Sequence, residues 1–502
     1  MSIKSHKFIL LSSFVISLAS CSTAFGLCSG ITGSNFKLRT AQRLEINDEK
    51  NKTITFPDEN LEKVIRSSIN KPEGAIYGDD VKSIEELTLH QGNISSLEGI
   101  QHLTNLKKLD LMFNKIENIS ELSNLTNLQS LNLGYNKITD ISPLAKLINL
   151  AELDLSSNKI VDINALSNLT NLKTLSLYGN KVSDLHPLSP LINLNSLDLY
   201  MNNIENIEPL GSLVNLTDFS LGMNKIVNID SLKNLRNLKI LELTENMVSD
   251  IKVLKYLKNL NQLYLYGNKV SDVSPLGSLK QLNYLELTNN KISNVDPLGS
   301  LTNLTQLALD NNEIKNVNAL GKLINLKNLG LSNNEISDIS KLGSLSNLAT
   351  LSIANNKITR VNGLENLKNL RILNISKNLI TDITPLRALE NLPLTTIALE
   401  GNPLPQYVFN EQLKDKFILS MLTPYIFDAV EKYYGEPRQY TDDGILDIVK
   451  TDNGVYKLKV KIETFVGAHN PPYGKDILTI TYDNSQIKIE DFHHEDVPLS
   501  LR

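Results

Sequence analysis

Cysteine is nearly absent from this chain of 502 residues, and its only two, Cys21 and Cys28, lie close to the N-terminus. A disulfide framework therefore cannot hold the fold together, so stability must come from buried apolar side chains. Histidine is scarce as well, and its single cluster is the run His-His-Glu-Asp from His493 to Asp496. This run could bind zinc if His469 or Tyr473 came near it, but a polar run after a strand is usually a solvated end. We expect no metal site and no cofactor.

A strong excess of one charge is also missing. The chain has 50 Lys and Arg against 55 Asp and Glu, a formal net charge of −5, which argues against a broad surface for nucleic acid. It contains no P-loop, no G-x-S-x-G elbow and no H-E-x-x-H motif, and neither cysteine lies in the part expected to fold. The sequence therefore predicts a protein that is not an enzyme and does not bind nucleic acid.

Long apolar runs are lacking except near the N-terminus, where Phe8 to Leu18 follow the basic residues Lys4 and Lys7. The run is too short to span a membrane as a helix. A basic start followed by such a run is typical of a signal peptide. We predict a signal peptide over residues 1–21 and an exported protein.

The predicted signal peptide ends in Leu-Ala-Ser-Cys, closing at Cys21. This ending resembles a bacterial lipobox, in which the cysteine becomes the lipidated first residue of the mature protein. The resemblance implies lipid attachment at Cys21 and a lipoprotein on the extracellular face of the bacterial cytoplasmic membrane. Simple secretion after cleavage near residues 24–26 is the alternative. Residues 22–50 are polar, and we predict that they form a flexible tether.

What the chain has in abundance is repetition. It reads LYGNKVSDLHPL from Leu177 and LYGNKVSDVSPL from Leu265, a separation of 88 residues, or four times 22. An asparagine recurs at this interval of 22 without a break, at Asn114, Asn136, Asn158, Asn180, Asn202, Asn224, Asn246, Asn268, Asn290, Asn312, Asn334, Asn356 and Asn378. With a variant unit around Gly92 and a final step of 24 residues to Asn402, about fifteen units span residues 81–404.

Each unit has the apolar spacing of one short strand and one tight return. In LTNLQSLNLGYNKITDISPLAKL, Leu131 and Leu133 are two residues apart, as in a strand, and the later apolar residues are three apart, as in a 3₁₀ turn. One unit cannot bury its leucines alone, so the units must stack into a solenoid with a shared core. The recurring asparagine, here called the ladder asparagine, can pair buried backbone groups of successive turns.

The pattern LxxLxxLxLxxNxIxxIxxL resembles leucine-rich repeats of the 22-residue class. Bacterial internalins carry this repeat, as does a regulatory subunit of a eukaryotic protein phosphatase. The resemblance covers nearly two thirds of the chain. It implies an α/β solenoid, a horseshoe with a parallel sheet on its concave face, and no catalytic role for the asparagines.

A solenoid needs a closing element at each end of its core. In FPDENLEKVIRSSI, Pro57 is placed for a first helical position, and Leu61, Val64 and Ile65 share one face. We predict a helical N-terminal cap over residues 51–80, lying across the first repeat. The segment resembles the cap of internalins, without the D-x-[DN]-x-[DN]-G pattern of a calcium loop.

The periodicity stops after Leu404, and residues 405–502 predict a small α+β domain of unknown function. The stretch EQLKDKFILSMLTPYIFDAVEKYYGE predicts two helices or one bent helix, with Thr423 and Pro424 as cap and first turn. Strands are predicted in VYKLKVKIE, DILTITYD and SQIKIEDF. This part resembles an uncharacterised domain family of exported proteins from Gram-positive bacteria.

Functional residues are expected on the concave face, in columns fixed by distance from the ladder asparagine. Four residues before it, an acid recurs at intervals of 44, and tyrosines or methionines lie two and one before it. After Asn290 these columns hold small residues such as Ala308 and Gly330. The predicted partner-binding residues are Asp110, Met112, Phe113, Tyr135, Asp154, Tyr178, Asp198, Tyr200, Glu242, Tyr264, Tyr266, Tyr284 and Glu286.

Tyrosines with surrounding acids are typical of protein interfaces that attract a basic partner. The sequence therefore predicts a non-enzymatic module on the bacterial cell surface that recognises a protein partner through the concave face. The internalin resemblance implies adhesion or recognition of a host protein, and a partner from the same cell is equally open. The alternative is that residues 405–502 form an enzyme or a small-ligand or metal module, which the repeats localise.

Overall fold

The computed structural model describes residues 53–389, 396–404, 411–434, 439–450, 456–465, 474–483 and 486–496. The predicted signal peptide, lipobox and tether lie outside these residues, as do His469 and Tyr473. Within the described ranges, no helix is both long enough and apolar enough to cross a membrane.

The N-terminal cap consists of two short strands and two helices. Strand β1, Thr53–Ile54, pairs antiparallel with β2, Ile76–Tyr77. Between them lies helix α1, Glu59–Ser68, and after them the short helix α2, Gly78–Val81. The buried side chains of α1 join the core of the repeats, so the helix closes the first end of the solenoid as predicted.

Helix α1 begins at Glu59 rather than at Pro57, because Asp58 is the residue that caps it. Asp58 Oδ1 accepts hydrogen bonds from the backbone N–H groups of Asn60 and Leu61 at 3.1 and 3.2 Å. Its Oδ2 accepts another from the backbone N–H of Ser95 in the first repeat, at 2.8 Å. Burial opposes ionisation of Asp58, but these hydrogen bonds outweigh it and lower the pKa of the carboxyl group. One carboxylate therefore starts the helix and fastens it to the repeats.

Each repeat contributes a three-residue strand to one parallel sheet of fifteen strands, in which chain neighbours are sheet neighbours. The register advances by one repeat, so that Leu109 pairs with Leu131 and Leu131 with Leu153. In strand order the bounds are β3 Glu86–Thr88, β4 Lys108–Asp110, β5 Ser130–Asn132, β6 Glu152–Asp154, β7 Thr174–Ser176, β8 Ser196–Asp198, β9 Asp218–Ser220, β10 Ile240–Glu242, β11 Gln262–Tyr264, β12 Tyr284–Glu286, β13 Gln306–Ala308, β14 Asn328–Gly330, β15 Thr350–Ser352, β16 Ile372–Asn374 and β17 Thr396–Ala398.

The chain returns from each strand through a short 3₁₀ helix, which confirms the return predicted from the apolar spacing of three. These helices are Ile100–His102, Ser120–Asn124, Ser142–Lys146, Asn164–Leu166, His186–Leu188, Glu208–Ser212, Asp230–Asn234, Lys252–Tyr256, Ser274–Ser278, Asp296–Ser300, Asn318–Lys322, Ser340–Ser344, Leu364–Asn366 and Thr384–Leu389. Together, the parallel sheet and these returns enclose a continuous row of buried leucines, isoleucines and valines. The structure is therefore the predicted leucine-rich solenoid.

The ladder asparagines pair with the backbone of two successive turns. Asn136 Nδ2 donates to the carbonyl oxygens of Leu111 and Leu133 at 2.9 and 3.0 Å, and its Oδ1 accepts from the backbone N–H of Ile116 at 3.0 Å. A second ladder, which the sequence analysis missed, runs nine residues before the first. In it, Asn149 Nδ2 donates to the carbonyl oxygen of Thr126 in the preceding repeat at 2.8 Å.

Replacing one ladder asparagine should destabilise the solenoid. Asn202 bonds the carbonyl oxygen of Leu177 at 2.9 Å and the backbone N–H of Val182 at 2.9 Å. In Asn202→Ala these buried groups lose their partner, so we expect a loss of about 1–3 kcal/mol in the free energy of unfolding. Urea unfolding followed by circular dichroism measures it, since the chain has no Trp. The matched control is Asn203→Ala at the exposed neighbour, and equal midpoints for the two variants would contradict the ladder's role.

The C-terminal part is one helix and a four-stranded antiparallel sheet. Helix α3 is Glu411–Tyr434, and the strands are β18 Gln439–Lys450, β19 Tyr456–Phe465, β20 Gly474–Asp483 and β21 Gln486–Asp496, in sheet order β18-β19-β20-β21. Its core contains Leu422, Ile426 and Val430 of α3 together with side chains of β19 and β20. The spacing of four places these three residues on one face of the helix.

The structure decides between the two alternatives for the helical stretch. Helix α3 continues through Thr423 and Pro424, so the stretch is a single helix and these residues do not begin a second one. The sheet also has a strand, β18, that was not predicted, because its Asp-Asp-Gly sequence is typical of a turn. The structure accommodates it with register shifts between Asp442 and Gly444 and between Ile445 and Asp447, which act as bulges in an edge strand.

Candidate functional site

Four columns of side chains line the exposed side of the parallel sheet, which we call the concave face. Two columns are the first and third residues of each strand, and two are the pair of residues directly before the ladder asparagine. The structure brings together on this face every residue predicted for partner binding. Tyr284 is a first strand residue; Asp110, Asp154, Asp198, Glu242, Tyr264 and Glu286 are third strand residues; and Met112, Phe113, Tyr135, Tyr178, Tyr200 and Tyr266 precede a ladder asparagine.

An aromatic group lies at the N-terminal end of the concave face. The rings of Phe113 and Tyr135 are stacked with centroids 4.3 Å apart, and the ring of His90 lies 5.3 Å from that of Phe113. Phe113 and Tyr135 are 40% and 39% exposed, so the group is open to a partner. His90 was not among the predicted residues, although it stands two residues before Gly92, which takes the place of a ladder asparagine.

Two tyrosine pairs lie further along the concave face. Tyr178 and Tyr200 are stacked with ring centroids 5.8 Å apart, and Tyr264 and Tyr284 have centroids 4.7 Å apart. Tyr266 shares the column of Tyr178 and Tyr200 but belongs to neither pair. All of these tyrosines are half-buried, so their rings are fixed by neighbours and still accessible from the face. Rigid, amphipathic rings of this kind are common anchors at protein interfaces.

The residue before each ladder asparagine has a left-handed backbone conformation. Its φ is 57° at Phe113, 59° at Met201 and 51° at Met223. Bulky side chains are disfavoured there, at a cost of about 1 kcal/mol each, whereas asparagine tolerates this conformation. Asparagine does take the position in the later repeats, at Asn289, Asn311, Asn333 and Asn355. The strained apolar residues of the earlier repeats are explained if their exposed side chains contact a partner.

Three carboxylates near the middle of the concave face, like Asp110 and Asp154 nearer its N-terminal end, are held in place by backbone N–H groups of their own repeat. Asp198 Oδ1, Glu242 Oε1 and Glu286 Oε1 each accept a hydrogen bond from the backbone N–H two residues later, at 3.0, 2.7 and 2.8 Å. Burial raises the pKa of all three. In Glu242, the neighbouring charges of Glu286 and Asp198 add to the effect. The groups are therefore fixed, partly desolvated and crowded with like charge.

Another carboxylate of the concave face, Asp310, was not predicted, because the columns of the later repeats were expected to hold small residues. Asp310 stands two residues before Asn312, in the column of Tyr178 and Tyr200. Its Oδ1 accepts from the backbone N–H of Ser332 at 2.7 Å, and burial raises its pKa. Its carboxylate lies over Gly330, where an added Cβ would be 2.1 Å from Oδ2. The acidic surface therefore extends into the repeats that were expected to be plain.

The central part of the concave face has no basic residue. Between residues 130 and 289 its four columns contain no Lys, Arg or His, and their acids are Glu152, Asp154, Asp198, Asp218, Glu242, Glu245 and Glu286. Among the described residues, no Lys, Arg or His forms an ion pair with Asp198, Glu242 or Glu286. These columns contain acids and no bases, whereas the whole chain has a net charge of only −5. The negative charge is therefore concentrated on this face.

Burial and nearby acids of the concave face raise the pKa values of its tyrosines. Burial and the nearby charge of Glu242 raise the pKa of Tyr200 to about 12. Burial and Glu286 raise the pKa of Tyr284 to about 12 as well. Gly222 makes room for the Tyr200 ring, since an added Cβ there would lie 2.4 Å from it. The hydroxyl groups of both tyrosines therefore stay protonated near neutral pH and remain hydrogen-bond donors.

Among the described residues of the C-terminal domain lies a buried polar cluster that involves part of the His-His-Glu-Asp run. Asp476, with no exposed surface, accepts hydrogen bonds from the Tyr434 hydroxyl at 2.9 and 3.1 Å, and its Oδ1 lies 2.7 Å from His494 Nδ1. The run was expected to follow a strand as a solvated end, but it lies within β21, with His493 exposed and His494 half-buried. The cluster ties the end of α3 to β20 and β21. Among the described residues, no group of three His, Cys, Asp or Glu side chains is arranged to hold a metal ion.

The two parts of the chain match different protein families. Residues 414–496 match a family described as Protein of unknown function (DUF3888). A family described as Leucine Rich repeats (2 copies) matches residues 104–146, 126–168, 148–191, 170–212, 236–278, 258–300, 280–322, 324–366 and 346–388. No curated protein sequence matches the chain.

Several solved structures are similar to the solenoid. An internalin from Listeria monocytogenes is 37% identical, over 63% of this chain and 94% of that one, with a TM-score of 0.61. A leucine-rich repeat protein from Leptospira interrogans is 26% identical, over 69% and 96% of the two chains, with a TM-score of 0.58. A plant peptide hormone receptor, solved in complex with RGF2, is 23% identical over 66% and 61%, with a TM-score of 0.54, and shows the same fold.

The repeats that match the family cover more than half of the 502 residues, and they build the parallel sheet and its asparagine ladder. This chain belongs to the leucine-rich repeat family.

Proposed function

We propose that this protein is a non-enzymatic binding module that recognises a protein partner through its concave face. The observation that carries the proposal is the combination on one face of stacked, accessible tyrosines with the carboxylates of Asp198, Glu242 and Glu286, which form no ion pair with a described Lys, Arg or His. Aromatic anchors supply most of the energy of a protein interface, and uncompensated charge selects a partner of opposite sign. The partner surface should therefore be basic.

The similar proteins support a binding role of this kind. The chain is internalin-like in its repeats, and a plant receptor with the same fold has been solved with RGF2 bound. Solenoids offer long faces for macromolecular partners, and here fifteen strands at about 4.8 Å spacing extend for roughly 70 Å. A partner on the host or on the same bacterial cell would fit this face equally well.

Crosslinking capture tests the proposal. Purified protein is incubated with cell-surface and culture proteins, crosslinked and recovered, beside the variant Tyr178→Ala, Tyr200→Ala, Tyr266→Ala. Tyr256→Ala, which removes a tyrosine that is 45% exposed and lies outside the four columns, is the control. We expect a basic protein that parent and control capture and the triple variant loses. Capture of the same proteins by all three would refute binding through the concave face.

We also propose that the protein is exported and anchored by lipid at Cys21 to the outer face of the cytoplasmic membrane. The proposal rests on the apolar run from Phe8 to Leu18 and on the lipobox-like ending. In the producing bacterium, the parent should fractionate with membranes, and Cys21→Ser should move to the soluble or culture fraction. If Cys21→Ser stays in the membrane fraction in the same amount as the parent, the result would contradict lipid anchoring at Cys21 and favour another form of membrane attachment.

A further inference from the structure

Three of the carboxylates on the central concave face stand at a regular interval. Asp198, Glu242 and Glu286 are the last residues of β8, β10 and β12, so one intervening strand separates each from the next. Because parallel strands lie about 4.8 Å apart, successive carboxylates are about 9.6 Å apart along the face. That distance is too long for two of them to share one metal ion, whose oxygen ligands lie within about 2.6 Å.

Tyrosine rings occupy the places between the carboxylates. The sheet register puts Tyr264 directly between Glu242 and Glu286 in one row. Between Asp198 and Glu242 the same row holds the small residue Ser220, and the Tyr200 ring lies beside it, over Gly222 and close to the Glu242 carboxylate. Each interval is therefore a ring flanked by two carboxylates, without a Lys, Arg or His from these columns.

Arginine is the side chain that suits such an interval. Its planar guanidinium group can pair with a carboxylate through two hydrogen bonds and can stack on a tyrosine ring at the same time. Lysine carries the same charge but lacks the planar surface. A partner with arginines would supply the positive charge that the chain itself does not provide here.

The spacing of the carboxylates selects the conformation of the partner. In a polyproline II segment, every third residue points the same way, and three residues advance about 9.3 Å. In a β-strand, side chains on one face recur about every 6.6 Å, which does not match. We infer that the stretch from Asp198 to Glu286 binds an extended segment of a protein partner that carries arginine at every third residue. This inference rests on the proposed function and adds the chemistry and spacing of the partner.

Two labelled peptides of equal charge test the spacing. Fluorescent PPRPPRPPR and PRPRPRPPP are titrated with the purified full chain at about 150 mM salt, where weak long-range attraction is largely screened. We expect the first peptide to bind at least about tenfold more tightly. The variant Asp198→Asn, Glu242→Gln, Glu286→Gln should lose this preference. Glu205→Gln with Glu208→Gln, at exposed positions outside the four columns, should keep it.

Equal binding of the two peptides, or binding of neither, would overturn the inference. The capture experiment separates this failure from failure of the proposed function. If a protein is still captured and lost with the tyrosine variant, the concave face binds a partner of different chemistry. If the tyrosine variant captures the same proteins as the parent, the proposed function fails as well.

Discussion

Tyr200→Ala should weaken binding of the captured partner by about 30-fold or more. Truncation of a central aromatic anchor typically costs at least about 2 kcal/mol, and 1.4 kcal/mol corresponds to a factor of ten. Tyr200 is central because its ring stacks on Tyr178, fills the space over Gly222 and lies near Glu242. Affinity is measured with the purified partner by titration calorimetry.

Two further variants separate the ring of Tyr200 from its hydroxyl group and from general destabilisation. Tyr200→Phe keeps the stacked ring, so we expect it to retain most of the affinity. Tyr256→Ala removes an exposed tyrosine from a 3₁₀ helix and should leave the affinity unchanged. The thermal midpoint of Tyr200→Ala should stay close to that of the parent, because the side chain lies outside the leucine core. An unchanged affinity of Tyr200→Ala would remove this tyrosine from the binding site.

Neutralising Asp198, Glu242 and Glu286, by Asp198→Asn, Glu242→Gln and Glu286→Gln, should weaken the same binding at least about tenfold and also stabilise the fold. The amides keep an oxygen that can accept the backbone hydrogen bond, but they remove the charge that attracts a basic partner. The affinity of the variant should also depend less on salt than that of the parent.

The gain in stability follows from the direction of the pKa shifts. Burial raises the pKa of these groups in the folded state above the ordinary 3.8 of Asp and 4.5 of Glu. Between the unfolded and folded pKa values, the folded protein binds more protons than the unfolded chain, so its stability falls as pH rises through that window. At pH 7 the three charges therefore oppose folding, and the amides should raise the unfolding midpoint.

The same shifts predict that partner binding weakens as pH falls. The carboxylates become protonated at a higher pH than ordinary Asp and Glu, so the attraction for a basic partner is lost earlier as the pH is lowered.

The charge-matched control for the neutralised triple variant is Glu205→Gln, Glu208→Gln and Glu313→Gln, at exposed positions outside the concave columns. Equal affinities and midpoints for the two triple variants would contradict the role of the concave carboxylates.

Most of the fold could be predicted because the same pattern of apolar residues recurs in about fifteen repeats. A period of 22 residues, with apolar spacings of two and then three, determines the strand, the return and the shared core without any long-range information. The ladder asparagine could be anticipated from the need to pair buried backbone groups. The columns of the concave face follow from the same register, which is why the predicted residues lie on one surface.

The features that were missed depend on contacts between distant or neighbouring elements. Asp58 caps α1 and also bonds Ser95 in the first repeat, and no local pattern reveals that second contact. Strand β18 has the local sequence of a turn and forms by pairing with β19. Asp310 stands in a known column, but its burial comes from lying over Gly330 in the next repeat. In each case the deciding contact comes from another element of the structure.

The most direct test of the central claim is site-specific photocrosslinking to the captured partner. A photoreactive residue is placed at position 201, beside Tyr200 on the concave face, in one protein and at position 256, on a 3₁₀ helix outside that face, in another. We predict that the partner becomes covalently attached at position 201 and not at position 256. Attachment at position 256 alone would show that the partner does not bind through the concave face.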